Sequence, residues 1–400
     1  MLEGYYKEKE NRREEGLPPL PLSPEQVQSI ADTFEKGDGS VELLTLLENE
    51  VPPGVDEAAY VKAAFLKDLA LEKITTKLIS PEKSIQMLGT MLGGYSVEAL
   101  VEVLKADKYG SEVVSALKNT ILVYDSFNEI FDMKDKNEHA NDIIKSWADA
   151  EWFLNKPTVG KEIALTVYKV SGETNTDDFS PAKEAWSRPD IPLHAQAFLK
   201  WSENISDPLQ KLDDLKKDGS KLVFVGDVVG TGSSRKSAAN SVLWHMGDEI
   251  PFVPAKKTGG FCFGSQIAPI FYNTLQDSGA FPIELDVDAL THGRKIILKP
   301  YEGIILDQDT NEEISSFELK SDVIFDEVRA GGRINLIIGR QLTDKTREKL
   351  GLEPSDVFKR YGDNEKNEKG FTLAQKMVGK ACGMAGVRAG QYCEPRMTTV

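Results

Sequence analysis

Cysteine is scarce: the chain has three in 400 residues, at Cys262, Cys382 and Cys393. That number excludes a disulfide framework and fits a reducing compartment such as the cytoplasm. Histidine is scarcer still for a chain this long, with four scattered copies (His139, His194, His245, His292) and no pair at metal-ligand spacing. No apolar run approaches the ~18 residues that a membrane helix needs, and the opening MLEGYYKEKENRREEG has no hydrophobic stretch of the kind that marks a signal peptide. Positive charge is short as well. The net charge is −16, and residues 1–160 alone hold 17 Lys and Arg against 29 Asp and Glu. The remaining 240 residues carry only −4. An acidic chain lacks the generic electrostatic footprint of a nucleic-acid binder, and any anion-binding chemistry is expected after residue 160.

What is present is an ordinary globular composition, 40% hydrophobic and 28% charged, long enough for two or three domains. Residues 22–155 read as successive helices. Ser23-Pro24-Glu25-Gln26 is a capping box with proline at the first helical position. Val41, Leu44, Leu47 and Val51 form one stripe, stopped by Pro52-Pro53-Gly54, and Val61, Phe65 and Leu69 form the next. Ser80, Ser96 and Ser111 are the expected caps of three further helices. Five or more helices without strands predict a helical solenoid of the HEAT type, although no exact repeat recurs at a fixed period.

Near residue 160 the period changes. Ile163, Leu165 and Val167 alternate with Thr166 and Tyr168, as in a half-buried strand, and Leu222–Val225 is a continuous apolar run suited to a buried parallel strand. Further strands are expected at 283–287, 295–298, 304–306, 316–319 and 335–338, with helices at 191–200, 207–217, 235–246 and 265–277. The expected organisation is a helical domain over 1–158, a mixed α/β domain over 159–352, a polar linker over 353–370, and the start of another unit over 371–400.

Three stretches are candidates for chemistry. In Val225-Gly-Asp-Val-Val-Gly-Thr-Gly-Ser-Ser-Arg-Lys-Ser237 a buried strand runs through a glycine-rich turn into a helix. Unpaired N–H groups at a helix start favour an anion. Ser233 and Ser234 add hydroxyls, and Arg235 adds a fork that matches a carboxylate. The Gly-Lys-Ser/Thr of a nucleotide loop is missing. The alternative is a tight turn with a solvated arginine. The second stretch, 172–190, is dense in turn formers. There Asp177 and Asp178 read as turn caps, while Arg188, extended before Pro189, either reaches a ligand or pairs with a surface acid. The third, Gly259-Gly-Phe-Cys-Phe-Gly264, reads as a packed core thiol.

The segments VVGTGSSRKSA, GETNTDDFSPA, WSRPDIPLHA and VPPGVDEAAYVKAAFL, with the final LAQKMVGKACG and GQYCEPRMTTV, resemble the bacterial aconitase B family along essentially the whole chain. The resemblance implies a HEAT-like helical domain, then an aconitase swivel domain, then the opening of a cluster-bearing region. It implies interconversion of citrate and isocitrate through cis-aconitate on a [4Fe–4S] cluster held by three cysteines. By the same resemblance the cluster ligands lie beyond residue 400, so Cys262, Cys382 and Cys393 are expected to bind no cluster, and the chain is expected to be an N-terminal part that is inactive alone. Ser233 matches the family's catalytic base, Ser234 and Arg235 its substrate-binding Ser and Arg, and Arg188 its other carboxylate-binding Arg. Asp177, which the resemblance makes a second catalytic residue, matches the Asp of a Thr-Thr-Asp-His turn, but here Asp178 replaces the His. A 2-methylisocitrate dehydratase activity stays open, as do homodimerisation through the N-terminal region and messenger-RNA binding by the cluster-free protein.

Overall fold

The structure, a computed structural model, describes residues 2–217, 219–359, 370–388, 393 and 395–396. Most of the expected linker, 360–369, lies outside the described residues. Among the described residues, ten helices from Leu2–Glu14 to Glu151–Leu154 precede the first strand. The helix Glu57–Ala70 packs on Pro24–Glu35, Pro81–Gly89 and Tyr95–Lys105, and Gly110–Leu117 packs on Pro81–Gly89, Tyr95–Lys105 and Glu138–Ala148. Leu66, Leu88, Leu100, Leu117, Ile130 and Trp147 fill one continuous core between them, each worth roughly 1.5–3 kcal/mol on burial.

Local signals account for the boundaries. Ser23 closes its capping box with Gln26, and Ser80 accepts from the Lys83 N–H. Two expected caps are absent. Ser96 lies inside the helix Tyr95–Lys105 and donates to the Gly93 carbonyl at 3.2 Å, with Gly94 as the cap residue. Ser111 lies inside Gly110–Leu117, and its hydroxyl turns to the Glu112 carboxylate. The stripe in Val41–Asn49 is also shifted: Leu43, Leu46 and Leu47 are buried, whereas Val41 is 69% exposed.

The second half is a mixed sheet. Its strands are β1 (Ile163–Asn175), β2 (Leu222–Thr231), β3 (Asp248–Glu249), β4 (Lys257–Thr258), β5 (Phe261–Ile267), β6 (Phe281–Glu284), β7 (Lys295–Lys299), β8 (Ile304–Asp307) and β9 (Glu313–Ser316). Seven of them form one sheet in the order β6-β5-β2-β1-β7-β8-β9, and β3 and β4 make a separate hairpin. The four strands β6, β5, β2 and β1 are parallel; β7, β8 and β9 continue antiparallel. Both faces are covered. Tyr168, Val170, Leu222 and Phe224 point to one core, and Leu165, Val167, Val223 and Val225 point to the other. β1 is therefore buried on both faces from Leu165 to Tyr168, and not half-solvated there as its alternation suggests. Residues 335–338 belong to the helix Arg333–Lys349 and not to a strand, and β5 occupies the stretch read as a lone core thiol.

The helix Arg333–Lys349 returns to the helical region. It packs on Glu138–Ala148, and Trp152 donates from Nε1 to Thr343 Oγ1 at 3.1 Å. Trp152, Phe153, Val323, Leu336 and Phe358 seal this junction, so the segment just before residue 360 is packed.

Candidate functional site

β1 and β2 are adjacent and parallel, so their carboxyl ends lie side by side, with Asn175 opposite Thr231. Ligands in such sheets gather beyond those ends. β2 leaves through two glycines with positive φ, Gly230 (+76°) and Gly232 (+90°). At Gly230 a side chain is excluded twice, because a Cβ there would stand 2.2 Å from the Phe271 ring. The turn delivers Ser233 and Ser234, both exposed, to the start of the helix Lys236–Met246. Arg235 is its extended cap residue and makes no side-chain cap, which leaves the first N–H groups of the helix without a capping side chain.

β1 ends in its own device. Asn175 Oδ1 accepts from the N–H groups of Asp177 (2.7 Å) and Asp178 (3.1 Å), while Asp178 Oδ2 accepts from the Asn175 N–H at 2.8 Å. This reciprocal cap opens the short helix Thr176–Phe179. Asp178 is thereby consumed, and Asp177 is left to pair with Arg235 Nη1. The bond to Arg235 holds the Asp177 carboxyl below its ordinary range, against a smaller opposing effect of burial. Thr176 Oγ1 donates to the Ser233 carbonyl at 2.8 Å and ties the two strand ends together.

Ser233, Ser234 and Arg235 line one cleft of about 100 Å³ with Thr176, Gly230 and Phe271. Asp177 joins it through Arg235. Arg188 comes from the next turn and meets the same neighbourhood through Ser180: its Nε donates to Ser180 Oγ at 3.2 Å, and its Nη2 approaches the Ser180 carbonyl at 3.5 Å. That carbonyl also accepts from Arg235 Nη1 at 3.3 Å. Two guanidiniums thus share one backbone oxygen, and two hydroxyls stand at the helix start beside them. Such an arrangement suits a ligand with more than one carboxylate.

Ser180 and His194 are the residues that sequence reasoning missed. Ser180 sits inside the DDFSPA segment and His194 inside IPLHA, yet neither spacing shows that they meet. His245 belongs to no metal-holding group among the described residues. It is half-buried in the helix Lys236–Met246 and donates from Nε2 to the Ala195 carbonyl at 2.9 Å, and desolvation pushes it down to about 3.

An iron–sulfur cluster needs three thiolates around it. Cys262 is sealed in the core of β5, where burial drives its thiol far up. Cys382 and Cys393 lie in the C-terminal segment. Among the described residues no group of three His, Cys, Asp or Glu is placed to hold a metal. The described residues do not fit the cluster.

The family profile described as aconitate hydratase 2 N-terminus matches residues 165–371, and that described as aconitate B N-terminal domain matches residues 4–153. Aconitate hydratase B of Escherichia coli (strain K12) is 51% identical over all of this chain and 48% of its own length. The proteins of the same name from Salmonella typhimurium and Synechocystis are each 52% identical over all of this chain, and over 48% and 46% of their own lengths. Among solved structures, a 3-isopropylmalate dehydratase from Methanocaldococcus jannaschii aligns at a TM-score of 0.35 and 18% identity, over 46% of this chain and 99% of that one. The chain spans about half the length of the curated relatives it matches. With two family profiles that between them run from the first helix past the sheet, the chain belongs to the aconitate hydratase B family.

Proposed function

We propose that this chain supplies the base and the carboxylate-binding surface of an aconitate hydratase, a hydro-lyase that interconverts citrate and isocitrate through cis-aconitate. The observation that carries the reading is the convergence of Ser233, Ser234 and Arg235 on one cleft, with Arg188 joined to it through Ser180. Ser233 takes the role of base. A serine hydroxyl is a poor base unless its site favours the alkoxide. The neighbouring helix start and the Arg235 guanidinium supply that positive field. Arg235 and Arg188 each fork onto a substrate carboxylate, and Asp177 occupies the Arg235 fork when no substrate does. A cluster of the kind the resemblance implies would be held by thiolates that the described residues do not supply, and would offer Lewis-acid chemistry to a departing hydroxyl. Reaction in this reading needs both halves.

In the same reading, residues 1–158 form a HEAT-like domain, 159–352 a swivel domain, 353–370 a linker, and 371–400 open the cluster-bearing region. The serial packing of neighbouring helices supports the first of these. Homodimerisation through the helical region and messenger-RNA binding rest on the resemblance alone, and the −12 balance of residues 1–160 weighs against the second. The scarcity of cysteine favours a cytoplasmic setting; among the described residues no helix is long and apolar enough to cross a membrane.

The test is Ser233→Ala in the full-length enzyme. Loss of a general base lowers kcat by about 10²–10⁴-fold while the cluster's visible absorbance stays unchanged. Turnover within a few-fold of the parent removes Ser233 from the role.

A further inference from the structure

The buried imidazole of His194 has no place in the proposed chemistry, yet it lies one side chain away from it. His194 is 2% exposed and bridges two hydroxyls, with Ser187 Oγ 2.8 Å from Nδ1 and Ser180 Oγ 2.8 Å from Nε2. Proton counting fixes the arrangement. Ser187 Oγ also lies 2.8 Å from the Glu184 carbonyl. A carbonyl only accepts, so the Ser187 proton is spent there. Ser187 must then accept from His194, which puts the imidazole proton on Nδ1. Nε2 is left as an acceptor, and the Ser180 hydroxyl donates to it.

The consequence falls on Arg188. With its own proton committed to His194, Ser180 Oγ presents both lone pairs. One takes Arg188 Nε–H at 3.2 Å, and the other takes the Ser237 hydroxyl at 2.7 Å. Every position around this oxygen is filled. A proton on Nε2 of His194 would take one of those lone pairs and reverse the Ser180–Ser237 bond, with Ser180 then donating to Ser237 Oγ. The groups that face the ring electrostatically are Arg188 and Glu184. Burial and, after it, the Arg188 charge hold the imidazole below its ordinary pKa, against the opposing Glu184.

We infer that His194, neutral and protonated on Nδ1, is a positioning residue: through Ser180 it orients the Arg188 fork toward a carboxylate of the substrate. The inference rests on the proposed tricarboxylate site. Nothing in it requires the imidazole to touch substrate.

Two measurements on the 400-residue chain test it. The first is the tautomer. Imidazole ¹⁵N–¹H correlation spectra of the wild-type chain must show His194 with protonated Nδ1 and bare Nε2, and the Arg188 Nε–H must be protected from exchange. A protonated Nε2, or an unprotected Arg188 Nε–H, overturns the inference whatever the chain binds. The second is a double-mutant cycle read as citrate affinity by calorimetry. His194→Phe keeps the volume and removes both nitrogens, and about a tenfold loss of affinity is expected, close to that of Arg188→Lys. The double variant should lose no more than either single one, because both remove the same oriented fork. His194→Gln restores an acceptor near the Nε2 position and should recover most of the loss, which a purely space-filling role would not predict. If Arg188→Lys weakens binding and His194→Phe does not, the positioning role fails and the site stands. If citrate does not bind the wild-type chain, the site reading fails, and the inferred orientation toward substrate falls with it. Circular dichroism and the urea midpoint exclude global unfolding of His194→Phe; a chain that unfolds is replaced in the cycle by Ser180→Ala, for which the same non-additive loss is expected and an additive one refutes the network.

Discussion

The first helix, Leu2–Glu14, is almost wholly polar, and only Tyr5 and Arg12 are buried in it. Something other than apolar packing must dock it on the sheet side of the molecule. Arg12 provides the contact. Its Nη1 and Nη2 meet the two carboxylate oxygens of Asp190 at 2.6 and 3.1 Å, its Nε donates to the Pro18 carbonyl at 2.6 Å, and Glu8 lies 3.4 Å away. The side chains of Arg12 and Asp190 are 10% and 17% exposed. A fully buried pair broken on one side costs ~3–5 kcal/mol and an exposed one ~0–1. With this burial and a bidentate geometry, Arg12→Ala should cost about 2 kcal/mol. Asp190 also caps the helix Ile191–Ala195 by accepting from the Leu193 N–H at 3.2 Å. Asp190→Asn keeps that cap and removes only the charge, so the two single variants and the double variant form a clean cycle. In urea denaturation their coupling should reach about 1 kcal/mol or more. Hydrogen exchange should also rise in residues 187–195, which hold Arg188 and His194. Additivity within ~0.5 kcal/mol, with exchange unchanged, would refute the idea that this pair couples the first helix to the site.

Two other outcomes follow from the structure. Glu327 is 2% exposed, and burial pushes its carboxyl up to about 7, although Gln276 Nε2 donates to it at 2.7 Å and Arg333 lies nearby. A raised carboxyl pKa means that the folded state holds the proton more tightly than the unfolded state, so stability falls as pH rises from about 4.5 through about 7. Glu327→Gln should therefore flatten the urea-midpoint profile over that window and stabilise the chain by up to ~3 kcal/mol at pH 8; an unchanged slope would remove Glu327 as its source. Gly230→Ala drives a Cβ into the buried Phe271 ring at a positive φ. A loss of about 3 kcal/mol in stability is expected, together with weaker binding of the proposed citrate ligand, and a neutral variant would show that the turn is not held by that contact.

Legibility followed the range of the physics. Ser23 and Ser80 were readable because a cap is settled within four residues. The stripe of Val41–Asn49 was not, since with leucines at 43, 44, 46 and 47 several phases satisfy the period and only the neighbouring helices choose among them. The run at 335–338 read as a strand because a short apolar run has no period of its own. Its continuation to Lys349 decides for helix, with Arg340, Thr343 and Thr346 buried along it. β5 was missed for the opposite reason: Gly259 and Gly260 drew attention to a turn, while Phe261 and Phe263 are the β-formers that follow it.

The candidate site divides along the same line. The glycine turn before Ser233 is local, and the sequence names it. The pairing of Arg235 with Asp177, 58 residues earlier, exists only because β1 and β2 run parallel and end together. The Asp178 carboxylate closes the cap on Asn175. Had Asp177 been spent on that cap, Arg235 would face the cleft with no carboxylate partner. Because Asp178 takes the capping work, Asp177 stays half exposed and paired with Arg235. A carboxylate already seated in the guanidinium fork has the chemistry of the proposed ligand's own groups. In the proposed reading the ligand would exchange one carboxylate for another at Arg235.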